Sequence, residues 1–112
     1  MPDKLNPDII RLKDIISAIN DIEQFLARTS LDDRMTLMAV AYEIAIIGEA
    51  ANNLSGEFCK AHAHIPWSDI IGMRHRIIHG YGKVNIQRLK EVVDKHLPVL
   101  KGQIQQILTS QI

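Results

Sequence analysis

The chain has 112 residues, enough for one domain with a moderate core. Hydrophobic residues make up 46% of the chain and charged residues 23%, and this composition excludes wholesale disorder. Aromatic residues make up only 4%, so the core must consist mainly of aliphatic side chains. The formal net charge is zero, which by itself argues against a polyanionic partner.

The first predicted helix runs from Pro7 to about Arg28. Asn6 is a good N-cap, Pro7 suits the first helical position, and Asp8 lies where the helix dipole favours an anion. Aliphatic residues recur at steps of three and four, which indicates one apolar face; these are Ile9, Leu12, Ile15, Ile16, Ile19, Ile22 and Leu26.

The second predicted helix runs from about Asp32 to Leu54, with Ser30 or Asp32 as its cap. Its middle, from Met35 to Ala51, is apolar on nearly every side. A helix of this kind must be buried all round, and one short chain can hardly cover every face of it. We therefore expect part of this helix to lie at an interface between two subunits.

A short irregular or helical link is predicted over residues 55–64. A third major helix then begins around Pro66, which suits a first turn, and continues through Ile78. Gly80 and Gly82 are expected to end it, with Gly80 in the left-handed cap position.

Asn85 is expected to cap a fourth helix, which Pro98 kinks or restarts. No stretch alternates with a period of two, so no sheet is expected. These elements predict an all-α protein, an antiparallel bundle of four or five helices in a single domain over residues 1–112. Cys59 is the only cysteine, and no segment reads as a signal peptide or membrane span, so we expect a cytoplasmic protein with no membrane contact.

The zero net charge hides a strong asymmetry along the chain. Residues 1–57 hold ten acidic and five basic side chains, and residues 58–112 hold three acidic and eight basic ones. No Asp or Glu occurs from Ile70 to Lys90, a window that contains Arg74, His75, Arg76, His79, Lys83, Arg88 and Lys90. A local basic surface of this kind can bind phosphate. The alternative is a helix face that pairs with the acidic half, within one chain or across a dimer.

The residues that suit chemistry are Arg74, His79 and Tyr81, in the pattern Arg-x4-His-x-Tyr. RNA cleavage without a metal needs a group that moves protons near neutral pH, which histidine does. It also needs a fixed cation for the charge on the phosphorane, and the planar fork of arginine matches phosphate oxygens. His75 and Arg76 lie in the same turn and could assist.

The spacing of this pair has a geometric consequence. On an ideal helix, residues five apart lie about 140° apart around the axis, so Arg74 and His79 would not share a face. Either the last helical turn is distorted, for which Gly80 gives an opportunity, or a two-fold dimer brings both copies of the pair to one cleft.

Simpler interpretations exist for each residue. His79 could cap the free carbonyls of a helix end, Arg74 could form a surface ion pair, and Tyr81 could pack over the helix end. His62 and His64 lack a third and fourth ligand at zinc-like spacing and are interpreted as exposed loop residues, so no metal site and no cofactor are expected. Cys59 has no base partner and is interpreted as a half-buried small residue.

Several segments in this order resemble the HepT-like branch of the HEPN superfamily. They are Glu43 to Ala51 (EIAIIGEAA) in the second helix, Ile65-Pro66-Trp67, Ile70 to Arg74 (IIGMR) and Ile77 to Tyr81 (IIHGY). The resemblance extends from the first helix to the last.

The resemblance implies a helical bundle that dimerises, with two copies of the motif in one cleft. It implies the metal-independent endoribonuclease toxin of a type II toxin–antitoxin system, with Arg74 and His79 catalytic and with RNA as the substrate. His75 matches a polar position where the family often has Asn or Asp, and it would assist together with Arg76 and Lys83. Tyr81 matches a tyrosine that a minimal nucleotidyltransferase antitoxin, encoded nearby, modifies with AMP. The added bulk and negative charge would repel RNA phosphates.

Two other functions remain open at this point. A non-catalytic subunit of the same family would hold the nucleotidyltransferase or its nucleotide without cleaving RNA. A purely structural helical dimer would explain the apolar second helix but would give the basic window no role.

Overall fold

The computed structural model describes residues 6–79 and 83–110, with His79 described only in its backbone. Along the chain the elements are α1 (Pro7–Arg28), α2 (Arg34–Asn52), α3 (Gly56–Ala61), α4 (Trp67–Ile77), β1 (Ile78–His79), β2 (Lys83–Val84), α5 (Ile86–Glu91), a π-helical segment (Val92–His96) and α6 (Leu97–Ser110). The prediction of an all-α bundle is confirmed.

The two long N-terminal helices begin at side-chain caps. Asn6 caps α1 as predicted, because its side-chain oxygen accepts from the backbone N–H of Asp8 at 2.8 Å. The cap of α2 is Asp33, not Ser30 or Asp32 as predicted. The Asp33 carboxylate accepts from both the backbone N–H and the hydroxyl of Thr36, at 2.9 and 2.8 Å, and these two bonds favour Asp33 over its neighbours.

The core is one continuous cluster of aliphatic side chains from α1, α2, α4 and the C-terminal helix. α2 packs against α1 on one side and against α4 on the other, and α6 packs against α1. The most completely buried large side chains include Leu12, Ile44, Ile77 and Ile104. An aliphatic core of this kind fits the scarcity of aromatic residues. Within the described ranges, no helix is long and apolar enough to span a membrane.

Gly48 sets the distance between α2 and α4. A Cβ atom at this position would lie 3.4 Å from the carbonyl oxygen of Ile71 and 3.5 Å from that of Ile70. A methyl group would be in van der Waals contact there, and a longer side chain would press against backbone, which cannot rotate away. The close packing of α2 and α4 brings the polar residues at their edges into one depression.

The end of α4 differs from the prediction. The helix stops at Ile77, one residue before the predicted end, and Ile78 has the extended φ and ψ of −108° and 118°. Ile78 and His79 pair in antiparallel register with Val84 and Lys83, respectively. The backbone N–H of Asn85 also donates to the carbonyl of Ile77 at 2.7 Å. A hairpin with two residues in each strand thus replaces the predicted last turn of the helix. The backbone N–H and C=O groups of these residues form their hydrogen bonds across the hairpin. Gly80 and Gly82, predicted to end α4, lie outside the described residues.

The C-terminal helix is continuous through its proline. Asn85 caps α5 as predicted, by accepting from the N–H of Arg88 at 3.1 Å. Pro98 does not break the helix, since the π-helical segment precedes it and the N–H of Leu97 donates to the carbonyl of Val92. The wider π-helical turn accommodates a residue that lacks an N–H donor.

Candidate functional site

Arg74 and His75 lie at the edge of a depression between α2 and α4. Both side chains are exposed, in the last turns of α4. The depression has a volume of about 140 Å³ and is lined by Ala45, Gly48, Glu49 and Asn52 of α2 and by Ile71, Arg74 and His75 of α4. The predicted catalytic arginine therefore lies at a helix junction that the solvent can reach.

Arg76 lies on the other side of α4. Its guanidinium donates to the Asp69 carboxylate at 3.1 Å. It lines a separate apolar groove of about 290 Å³, together with residues of α5, the π-helical segment and α6 such as Arg88 and Leu100. Residues two apart on a helix point in nearly opposite directions. The fold therefore separates Arg76 from Arg74, although the two are neighbours in the basic window.

His79 follows α4 in the hairpin. Its backbone pairs with that of Lys83, which is exposed. The 140° argument does not apply to this pair, because only Arg74 is on a helix. The side chain of His79 and the whole of Tyr81 lie outside the described residues. The Arg-x4-His-x-Tyr pattern thus begins in a helix and reaches His79 in a short strand.

Two polar residues that line this depression, Glu49 and Asn52, were not predicted as site residues from the sequence. The Glu49 side chain is exposed. The side-chain amide of Asn53 donates to the Glu49 carbonyl at 2.9 Å and to Glu49 Oε2 at 3.4 Å. The available signal was spacing, because residues 45, 48, 49 and 52 fall on one helical face.

A second groove, between α1 and α2, is acidic. It holds Asp14, Asp21, Glu43 and Glu49, with Arg11 at its edge. Burial, together with the hydrogen bond and negative charge of Asp21, raises the pKa of Glu43 to about 7. Near neutral pH the Glu43 carboxyl therefore carries a proton for part of the time.

The histidines of the 55–64 segment form a structural cluster with aromatic residues. The rings of Phe58 and His62 lie 4.5 Å apart, and Phe58 and Trp67 lie 5.9 Å apart. The Trp67 indole N–H donates to the carbonyl of His62 at 3.1 Å. Cys59 is half-buried as predicted, and burial raises the pKa of its thiol. Across residues 6–79 and 83–110, no group of three potential metal ligands occurs.

One face of α2 remains exposed. Met35, Met38 and Tyr42 are 82%, 40% and 65% exposed, respectively, and they recur at helical spacing. Other apolar residues of the helix are buried, including Val40, Ile44 and Ile47. The single chain thus leaves one apolar stripe of this helix uncovered, which we call the α2 stripe (Met35, Met38 and Tyr42).

Comparison with known proteins identifies the family of this chain. The protein family described as "Ribonuclease HepT-like" matches residues 14–107. A protein of Thermococcus cleftensis named "Probable ribonuclease HepT" is 35% identical over 100 residues, which cover 86% of this chain and 91% of that protein. "Putative RNase TTE0752" of Caldanaerobacter subterraneus subsp. tengcongensis is 38% identical over 79 residues, covering 70% of each chain. No solved structure matches the chain significantly. The matched region contains α2, α4 and the depression between them, and the chain belongs to the HepT-like ribonuclease family of the HEPN superfamily.

Proposed function

We propose that this chain is a metal-independent endoribonuclease and the toxin of a type II toxin–antitoxin pair. The observation that carries the proposal is the position of Arg74. It is exposed beside a depression between two helices, it forms no ion pair with any described residue, and the chain leads from it within five residues to His79. An unpaired arginine at this position is available to a phosphate.

The proposed chemistry divides the work between two side chains. His79 moves a proton at the attacking 2′-hydroxyl or at the leaving 5′-oxygen. Arg74 places its guanidinium against the phosphate oxygens and stabilises the charge that grows on the phosphorane. His75, at the same edge as Arg74, and Lys83, opposite His79 in the hairpin, add positive charge along the RNA path. Arg76, which pairs with Asp69 on the far side of α4, does not belong to this path.

The proposal includes a homodimer formed through the α2 stripe. Contiguous exposed apolar side chains on a small protein often mark an interface. In this dimer the two-fold axis would also bring the Arg74 residues of the two copies to one cleft, as the HepT-like resemblance implies. The active site would then be a cleft between the copies.

Cleavage assays test the nuclease. Purified protein free of AMP should cut single-stranded RNA in the presence of a chelator. Arg74→Ala and His79→Ala should each lower the rate by about 100-fold or more. His64→Ala, at an exposed histidine outside the site, and Arg28→Ala, at a helix end of α1, are the matched controls. Cleavage that stops with chelator, or that survives His79→Ala, would contradict the proposal. Intact RNA with wild-type protein would favour the non-catalytic subunit instead.

The antitoxin half of the proposal concerns Tyr81. A minimal nucleotidyltransferase encoded nearby would add AMP to its hydroxyl, and the added negative charge would repel RNA phosphates from the basic surface. Intact mass of the protein co-expressed with that neighbour should show adenylyl-sized additions, and Tyr81→Phe should lack them. Expression of the chain alone should arrest growth, and Arg74→Ala should relieve the arrest.

A further inference from the structure

The depression between α2 and α4 combines an apolar floor with a polar rim. Ala45, Gly48 and Ile71 form the floor, and Gly48 lets the two helix backbones come close. Glu49 and Asn52 stand on the α2 side of the rim, with Arg74 and His75 opposite them. Apolar lining residues suit the face of a planar ring, and polar lining residues suit the edge of that ring.

The negative charge of Glu49 is unfavourable if the depression binds only phosphate. A carboxylate repels phosphate oxygens, yet this one shares the depression with the proposed catalytic arginine. No ion pair joins Glu49 to Arg74 in the described part of the chain. The Asn53 side-chain amide donates to one carboxylate oxygen of Glu49 at 3.4 Å. The other oxygen accepts from no donor among the described residues, so Glu49 keeps acceptor capacity for a ligand.

The donors that a ribonuclease substrate offers are on its bases. Single-stranded RNA is read by unstacked bases that are hydrogen-bonded on their Watson–Crick edges. A carboxylate is an acceptor only, and it binds best to two adjacent N–H groups, as it does to arginine. Among the four RNA bases, guanine alone presents two neighbouring N–H donors, at N1 and N2. The other bases place a ring acceptor or a carbonyl beside their donor.

We infer that this depression is a base pocket that selects guanine next to the cleaved phosphate, with Glu49 accepting from its N1–H and N2–H groups. The inference rests on the proposed ribonuclease activity and names its specificity. Asn52, one helical turn from Glu49, supplies an amide for the remaining edge of the base. Arg74 stays on the phosphate side, so one depression holds the base and its phosphate together.

Cleavage of matched RNAs tests the inference. Single-stranded RNAs that differ only in one internal base should be cut beside guanine about tenfold faster than beside inosine, which lacks the N2 amino group. In Glu49→Gln the preference for guanine over the other bases should shrink to less than about twofold. Glu57→Gln, at an exposed carboxylate of α3, is the control and should keep the wild-type preference.

Two results would overturn the base pocket. One is wild-type cleavage with no preference for guanine. The other is a Glu49→Gln variant that loses rate equally beside all four bases, since this would assign Glu49 to cleavage or to folding. Unlike Glu49→Gln, the Arg74→Ala variant should lower the cleavage rate beside every base, because Arg74 is proposed to act on the phosphate.

Binding separates this inference from the nuclease proposal. Titration of the protein with GMP, IMP and AMP, followed by the NMR amide shifts of Ala45 and Gly48, should show tighter binding of GMP, which Glu49→Gln abolishes. A guanine preference in binding without RNA cleavage would leave the pocket in place and reject the nuclease. Equal or absent binding of the three nucleotides, together with unselective cleavage, would reject the pocket alone.

Discussion

Gly48 of α2 lies against the backbone of Ile71 in α4, so closely that a Cβ at Gly48 would be 3.4 Å from the Ile71 carbonyl oxygen. This contact brings Glu49 and Arg74 to the two rims of one depression. The shape of this depression therefore depends in part on a residue that has no side chain.

Gly48→Leu should separate α2 from α4. Overpacking against rigid backbone should lower the free energy of unfolding by about 1–3 kcal/mol. Gly72→Leu is the matched control, because a Cβ at Gly72 meets nothing within 4 Å. The control should be as stable as the wild type or slightly more so, because leucine favours helix over glycine. Urea unfolding followed by circular dichroism measures both variants, and equal losses would contradict the close approach at Gly48.

The Asp21–Glu43 pair should make the stability of the fold depend on pH. The pKa of Glu43 is raised from 4.5 to about 7 in the fold, mainly by burial and then by Asp21. A raised folded pKa stabilises the protein fully below the unfolded value, and this contribution is lost as pH rises towards 7. The melting temperature should therefore fall between about pH 4.5 and 7. Glu43→Gln should flatten this fall and raise the melting temperature at pH 8. If the two melting curves run parallel across that range, the pair is not the cause.

The Asp33 cap predicts a dependence of the opposite sign. Its hydrogen bonds from the Thr36 hydroxyl and backbone N–H lower the pKa of the Asp33 carboxyl below 3.8. A lowered folded pKa stabilises the protein above the unfolded value and is lost as pH falls through the folded one. Asp33→Ala should lower the melting temperature at pH 7 and have less effect at pH 2. The neighbouring Asp32→Ala is the control. A melting temperature that depends equally on both residues would speak against the cap.

The α2 stripe predicts the oligomeric state. Met35→Lys combined with Tyr42→Lys should convert the proposed dimer to a monomer in analytical ultracentrifugation, because two charged groups would face their own copies across the axis. Cleavage of RNA should then fall by about 100-fold if the site needs both copies. Val99→Lys, at another apolar residue that is 60% exposed, is the control and should remain dimeric. A fully active monomeric double variant would reject the composite site.

Local signals in the sequence predicted the helices and the residue types that could act in catalysis. The Asn6 and Asn85 caps, the aliphatic periodicity of α1 and the scarcity of aromatic residues predicted the bundle, because these signals are local. The HepT-like resemblance was likewise visible in short segments. The second helix, apolar on nearly every side, predicted an interface between subunits, because a count of apolar faces needs no tertiary information; the exposed α2 stripe is the surface available for it.

The packing of the helices determines which polar residues lie close together. Arg74 and Arg76 are neighbours in sequence, yet α4 sends one to the depression beside α2 and the other to Asp69 and the groove beside α5. Glu49 and Arg74 are 25 positions apart in the sequence, and they line the same depression because Gly48 permits close packing of α2 and α4. The end of α4 at Ile77 also depended on a strand partner that follows it in the chain. Contacts between elements and backbone pairing set these features, and neither is encoded in the periodicity of one segment.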